Sequence, residues 1–247
     1  MALVIYSSRQ YYQMMKSSEP FIGIDVTQMI TASSSKPDPS ATDATRHRYQ
    51  RLSPIYDVME GMAERRYYPW RTKLWSQVPG LHVLEVGIGT GKNMPFYPSG
   101  ISITGIDLTP GMLKRAQKRA GDLSLKSRVD LHLGDVQELA FPNSAFDSAV
   151  AAFVFCSVPD PVLGLRELKR VVKPDGRVLL LEHMRSPNPI LGAVMDFLNP
   201  VIVRMMGANI NRQTVENVRK AGLEIEQVEV LGMGGIFKLI TARVPSR

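Results

Sequence analysis

The sequence predicts an α/β fold: a doubly wound, seven-stranded sheet, mostly parallel, ending in an antiparallel strand pair. Three observations carry that expectation. From residue 82 onward, short runs rich in Val, Ile and Leu alternate with helical stretches, the pattern of successive parallel βα units. A glycine-rich segment, Gly87-Ile88-Gly89-Thr90-Gly91, directly follows the first of these runs. Near the end, Gly232-Met233-Gly234-Gly235 is a link that fits a hairpin, so the strands on either side of it run antiparallel.

Taken in order, strands are expected over 82–86, 101–106, 129–133, 148–153, 177–181, 224–231 and 236–242. Helices are expected over 93–97, 110–120, 161–172 and 212–221. Residues 46–75 read as two helices divided near Ser53-Pro54, since proline suits a first helical turn. They would form a helical lid at the start of a single domain spanning 46–247. Within that domain an apolar insertion occupies 187–210, with Ile190, Val194, Met195, Phe197, Val201, Met205 and Met206 among its residues. It is too long and too apolar for a passive connection, and methionines suit an adaptable apolar pocket. A lid over a hydrophobic or amphipathic acceptor, its outer face touching a bilayer, is the expectation. Residues 1–45 are rich in Ser and Thr and read as a partly ordered arm and linker, in which Tyr11, Tyr12, Met14 and Met15 suit a short docking helix.

Composition sets the outer bounds. The 247 residues are 44% hydrophobic and 21% charged, which excludes disorder throughout. The one cysteine, Cys156, excludes an internal disulfide framework and any cysteine-cluster metal site. No run of eighteen uncharged apolar residues appears; the nearest, 189–207, carries Asp196 and Arg204 and is interrupted by Pro200. The first residues lack a charged leader and a continuous apolar core, so a cytoplasmic location with contact at a membrane surface is expected. Thirty Lys and Arg against twenty-three Asp and Glu give +7, and residues 46–75, with seven basic against three acidic side chains, supply more than half of it. Tyr67, Tyr68, Trp70 and Trp75 are interleaved with those cations. Such a basic aromatic segment favours anionic or amphipathic partners.

The glycine loop narrows the chemistry. Glycines at alternate positions allow positive φ and a close approach of backbone to a ligand. A dinucleotide fingerprint would need glycine at 92, where Lys92 stands, and a P-loop would need Ser or Thr at 93, where Asn93 stands. Asp107 ends the second strand, where a carboxylate accepts hydrogen bonds from a ribose hydroxyl pair. Asp135 follows the third strand, where it can accept an adenine amino group. With Glu85 and the three glycines, these groups meet one crevice at the carboxyl edge of the sheet.

Together, Glu85-x-Gly87-x-Gly89-x-Gly91, Asp107, Asp135 and the terminal antiparallel pair resemble the class I S-adenosylmethionine-dependent methyltransferases, over about residues 49–243. The resemblance implies a Rossmann-like fold and S-adenosylmethionine as cofactor. It places Gly87, Gly89 and Gly91 around the aminocarboxypropyl arm, Asp107 on the ribose, Leu108 and Met112 beside the adenine, and Asp135 and Val136 on its edge. Glu85 and Phe153 complete the cofactor-side set. Tyr56-Asp57 resembles the tyrosine-containing helix that lids the methionine end in the ubiquinone- and menaquinone-methylating relatives. Gly89-Thr90-Gly91-Lys92-Asn93, Cys156-Ser157-Val158-Pro159 and Glu182-His183 are similar to both bacterial phospholipid N-methyltransferases and alkyl-thiol S-methyltransferases. After the fourth strand stands Ala151-Ala152-Phe153-Val154 in place of the Pro-Pro-containing motif of adenine-N6 enzymes, which disfavours methylation of adenine N6.

Methyl transfer from a sulfonium needs alignment of nucleophile and methyl carbon at roughly 3 to 3.5 Å and exclusion of water. No metal is expected. An amine or thiol acceptor must lose a proton, and His183, just after the fifth strand, is the candidate base; Tyr56 is the second catalytic candidate. Cys156 reads as apolar filler and His47, His82 and His132 as surface or strand positions. The basic aromatic helices favour a phospholipid head-group amine, the Cys-Ser-Val and Glu-His runs a small thiol or sulfide, and ring-carbon methylation of a quinone is the third acceptor class. An RNA-binding methyltransferase and a non-catalytic cofactor-binding module are the readings from other classes.

Overall fold

The computed structural model describes residues 36–246. Its seven strands are β1 (His82–Val86), β2 (Ser102–Asp107), β3 (Val129–Leu133), β4 (Phe146–Ala152), β5 (Val172–His183), β6 (Glu224–Gly232) and β7 (Phe237–Arg243). They form one sheet in the order β3-β2-β1-β4-β5-β7-β6. The first five pair in parallel, and β7 lies antiparallel between β5 and β6. Chain order reverses between β1 and β4, and at such a switch point the carboxyl ends of neighbouring strands leave a crevice.

Strand alternation explains the two core layers. Leu84, Val178 and Leu180 face a cluster completed by Leu165, Leu168, Val218 and Ile240. Their neighbours Val83, Leu179 and Leu181 face the opposite cluster with Leu74, Trp75, Ala116 and Leu239. Adjacent residues reach opposite faces because the side-chain period of a strand is two.

Six helices flank the sheet among the described residues: α1 (Pro39–Leu52), α2 (Tyr56–Ser76), α3 (Pro110–Asp122), α4 (Pro161–Val171), α5 (Pro189–Met206) and α6 (Thr214–Lys220). Asp38, Asp160 and Asn188 cap α1, α4 and α5 by accepting from backbone N–H groups of the first turn, and each is followed by proline.

Several boundaries differ from the sequence expectation. The arm expected over 1–45 gives way to α1 at Pro39, because Asp38-Pro39 is a strong helix start; the earlier part of that arm lies outside the described residues. The helix expected over 93–97 is a single 3-10 turn at Met94–Phe96. Pro95 and Pro98 withhold the N–H groups that a longer helix would need. The fifth strand is longer than 177–181, running through Gly176 with a register shift against Phe146 and Ser148. Pro200 does not divide the apolar insertion: α5 is continuous through it and ends at Gly207. No helix of the described residues is long and apolar enough to cross a membrane.

Candidate active site

The crevice at the switch point has a floor of Gly87, Gly89 and Ala152 and walls from Asp107-Leu108-Thr109, Met112, Gly134-Asp135-Val136, Phe153-Val154 and Ser157-Val158-Pro159. Thr45 and Tyr49 of α1 and Tyr56 of α2 close it from above. Nine of the residues singled out in the sequence therefore meet here: Gly87, Gly89, Asp107, Leu108, Met112, Asp135, Val136, Phe153 and Tyr56.

Backbone geometry shows why the loop carries glycine. Gly87 has φ 59°, and a Cβ on it would fall 2.5 Å from a Val154 methyl. Gly89 has φ 57°, but the nearest atom to a Cβ there is the Gly87 carbonyl oxygen at 3.9 Å. The first glycine permits close packing, whereas the second leaves open space above the backbone for a ligand.

Asp107 is set by that same loop. Its Oδ2 accepts from the Gly89 N–H and its Oδ1 from the Thr109 N–H, both at 2.9 Å. Burial raises its pKa against the pull of these bonds. The Thr109 hydroxyl is a third donor to this carboxylate, which keeps acceptor capacity for a ribose hydroxyl. A ribose hydroxyl fits that strand-end position, and the open backbone at Gly89 fits an extended arm beside it. Asp135 also faces the crevice, yet it is more engaged than the sequence suggests: its carboxylate accepts from Gln137 Nε2 and from the Thr42 hydroxyl at 3.1 Å. α1 is thereby tied to the third strand's exit. Tyr49 adds a second tie, to the segment after β4, by hydrogen-bonding the Ser157 hydroxyl.

A polar recess opens from the glycine loop, shared with the crevice at Tyr56, Gly87, Gly89 and Phe153 and extended by Arg71, Thr90, Lys92 and Asn93. Arg71 of α2, only 4% exposed, donates through Nη1 to Asn93 Oδ1 and through Nε to Glu64, both at 2.6 Å. Its guanidinium lies 5.4 Å from the Phe153 ring centroid. Asn93 passes the contact on by donating to Glu85 at 2.7 Å, and Tyr97 donates its hydroxyl to the other oxygen. Glu85 is thus buried behind the loop and does not line the crevice; burial lifts its carboxyl to about 7. Gly91, at φ 80°, also stands off the crevice, against Met94 and Ala116. Asp57 locks the start of α2 by accepting from Thr90 at 2.6 Å and pairing with Arg119 at 3.2 Å.

His183 ends β5 outside the crevice lining. Its ring centroid is 6.4 Å from Phe237, and Phe237 is 6.1 Å from Phe153 within an aromatic group that includes Tyr67 and Trp70. Burial lowers the imidazole pKa, against the raising effect of a hydrogen bond with the Asn209 backbone. The neutral form, which can accept a proton, is favoured. Cys156 is buried, and its thiol is pushed up to about 12, so it stays protonated.

The apolar insertion over 187–210 supplies no residue to the crevice lining, and α5 is followed by Asn209. Residues 209 and 156 are joined by two hydrogen bonds to the Cys156 carbonyl, from the Asn209 N–H at 2.9 Å and its Nδ2 at 3.0 Å, so the end of α5 is anchored beside the crevice wall. The helix itself buries little: Ile190, Phe197 and Met205 are 78%, 82% and 71% exposed. Arg71, Thr42, Tyr49, Ser157 and Asn93 were not identifiable as site residues from sequence. The basic aromatic pattern around Arg71 and the family-like runs containing Asn93 and Ser157 are the signals that point toward three of them.

Residues 84–180 match the methyltransferase-domain family. Over 155 residues the chain is 36% identical to the phosphatidylethanolamine N-methyltransferase of Cereibacter sphaeroides, a match covering 62% of this chain and 74% of that protein. It is 31% identical over 175 residues to a demethylmenaquinone methyltransferase of Lactobacillus johnsonii, covering 66% and 71%. A SAM-dependent methyltransferase structure from Thermotoga maritima superposes with a TM-score of 0.62 at 21% identity, covering 81% of this chain and 99% of that one, which speaks to the fold alone. The relatives, the family match and the strand order agree: the chain belongs to the class I S-adenosylmethionine-dependent methyltransferases, and S-adenosylmethionine is its cofactor.

Proposed function

We propose that this enzyme methylates the head-group amine of a phospholipid presented by a bilayer. The observation that carries the reading is α5. Ile190, Val194, Phe197, Val201 and Met205 recur at helical spacing, all are exposed, and the helix end is anchored beside the crevice. Apolar area of this kind gains roughly 25 cal/mol per Å² on leaving water, and an interfacial helix gains it in the acyl boundary. Exposed Arg51, Arg65, Arg66 and Arg204 add attraction to anionic lipid, at about 1 kcal/mol for each cation near the surface. The 36% identity to a protein named as a phosphatidylethanolamine N-methyltransferase supports the same acceptor.

When bound, the cofactor supplies a methyl group activated by its sulfonium. In this reading Asp107 holds the ribose diol, Leu108, Met112 and Val136 flank the base, and Asp135 meets its edge. Gly87 and Gly89 let the aminocarboxypropyl arm pass, while Tyr56 and Phe153 exclude water from the reacting end. His183, partly buried and with its imidazole pKa lowered by desolvation, is the base proposed for the amine's proton. The +7 of the chain guides the enzyme to a lipid surface rather than to nucleic acid.

Incubating the enzyme with methyl-labelled cofactor and, separately, phosphatidylethanolamine vesicles, small alkyl thiols and a demethyl-quinone tests the acceptor. Label in the lipid head group is expected. Label in the thiol or the quinone alone, or in none of the three, overturns the reading.

A further inference from the structure

Glu182 is the penultimate residue of β5, and its side chain is 0% exposed. Strand alternation turns it toward the α4 side of the sheet, opposite to His183. There its Oε1 accepts two backbone N–H bonds, from Val154 at 2.9 Å and Phe155 at 3.0 Å, while Oε2 has no hydrogen-bond partner. The groups facing it are the Cys156 thiol and the Arg212 guanidinium, with Lys238 opposite it on β7. Two donors on one oxygen of a fully buried carboxylate make a clamp on the chain segment that leaves β4.

That segment begins with Phe153, which has φ 61°. Left-handed backbone is costly for a bulky residue and persists only where its surroundings over-determine it. The constraint comes from two successive residues of β5. The Leu181 carbonyl accepts the Phe153 N–H at 2.8 Å, and the Glu182 carboxylate takes the next two N–H groups. Phe153 and Val154 are both crevice wall, and Val154 also fills the space left by the missing Cβ of Gly87.

We propose that Glu182 is a positioning residue of the cofactor site: it holds the strained exit turn of β4 and so sets the wall formed by Phe153 and Val154. The proposal rests on the reading of this crevice as the place where the cofactor binds. Glu182→Gln keeps one acceptor oxygen for both N–H groups, whereas Glu182→Ala removes it. Gly at 153 adopts the left-handed conformation without strain, so Phe153→Gly removes the need for the clamp.

Affinity for S-adenosylhomocysteine, measured by calorimetry well below the melting temperature, and melting temperature itself are the two readouts. Glu182→Ala is expected to weaken binding about tenfold and Glu182→Gln less than about threefold. Glu182→Ala is expected to lower the melting temperature by about 5 °C in the natural background and by less than half of that beside Phe153→Gly. Binding unchanged in Glu182→Ala overturns the positioning role, and additive melting losses overturn the clamp. If Glu182→Ala alone does not fold, recovery of folded protein in the double variant supports the clamp, and failure of both overturns it. Asp107→Ala separates the two readings. Unchanged binding in that variant contradicts the crevice as the cofactor site, while the melting cycle still decides the clamp.

Discussion

The two sides of the crevice are made in different ways. On the side of β1, β2 and β3, the groups that face the crevice leave strand ends, and Asp107 is held by the backbone N–H groups of Gly89 and Thr109, although Asp135 also accepts from Thr42 of α1. On the side of β4, β5 and α5, the wall depends on partners distant in the chain. Val154 hangs on Glu182, the Cys156 carbonyl on Asn209, and Ser157 on Tyr49. In the proposed reading the first construction serves the cofactor. The second can be altered by single side chains without disturbing the first, which is where differences in acceptor can arise.

If the cofactor side is the fixed one, its variants cost most. Asp107→Ala removes the carboxylate that the proposed reading places on the ribose, worth about 3 kcal/mol, and should weaken S-adenosylhomocysteine binding about a hundredfold by calorimetry. Gly87→Ala comes next. It combines a left-handed φ of 59° with a Cβ placed 2.5 Å from Val154, and urea unfolding should report a loss of about 2 kcal/mol.

A smaller effect concerns the buried carboxylates behind each side. Glu85 holds its proton up to about pH 7 in the folded protein, against an ordinary value of 4.5. Between those values the folded state binds more protons than the unfolded chain, so stability falls as pH rises through that window. Glu182, also raised to about 7, contributes a slope of the same sign. Glu85→Gln should therefore flatten part of the decline in melting temperature between pH 4.5 and 7, leaving the share due to Glu182. An unchanged profile would show that Glu85 is ionised in the fold. Smallest of all is the exposed Lys118–Asp122 pair on α3. Lys118→Ala should change stability by less than about 0.5 kcal/mol and leave cofactor affinity unmoved.

This division also governs what could be read from the sequence. Gly87, Gly89 and Asp107 announce themselves because backbone freedom and a strand-end carboxylate are local requirements with local signatures. The strands were legible for the same reason, since alternating βα units write the hydrophobic period into each segment. Over 93–97 the chain makes only a 3-10 turn in place of the expected helix, because Pro95 and Pro98 outweigh the apolar residues around them. Arg71 and Thr42 could not be placed, because each reaches the crevice from a helix whose docking only the folded chain defines. Apolar periodicity identified α5 as a helix facing something apolar, but periodicity does not say whether that partner is the core. Helix α4 is the less apolar of the two yet buries Leu163, Leu165, Leu168 and Val171, whereas α5 buries little more than Met195.

The exposed face of α5 is the point on which the bilayer reading stands, and it can be altered without touching the crevice. In a Phe197→Glu, Val201→Glu double variant both substitutions fall on exposed positions, so the fold and S-adenosylhomocysteine affinity should be retained. Cosedimentation with anionic phosphatidylethanolamine vesicles and methyl transfer to their lipid should both fall at least about tenfold, as expected when charge enters an apolar contact. Undiminished vesicle binding and lipid methylation in that variant would contradict the account.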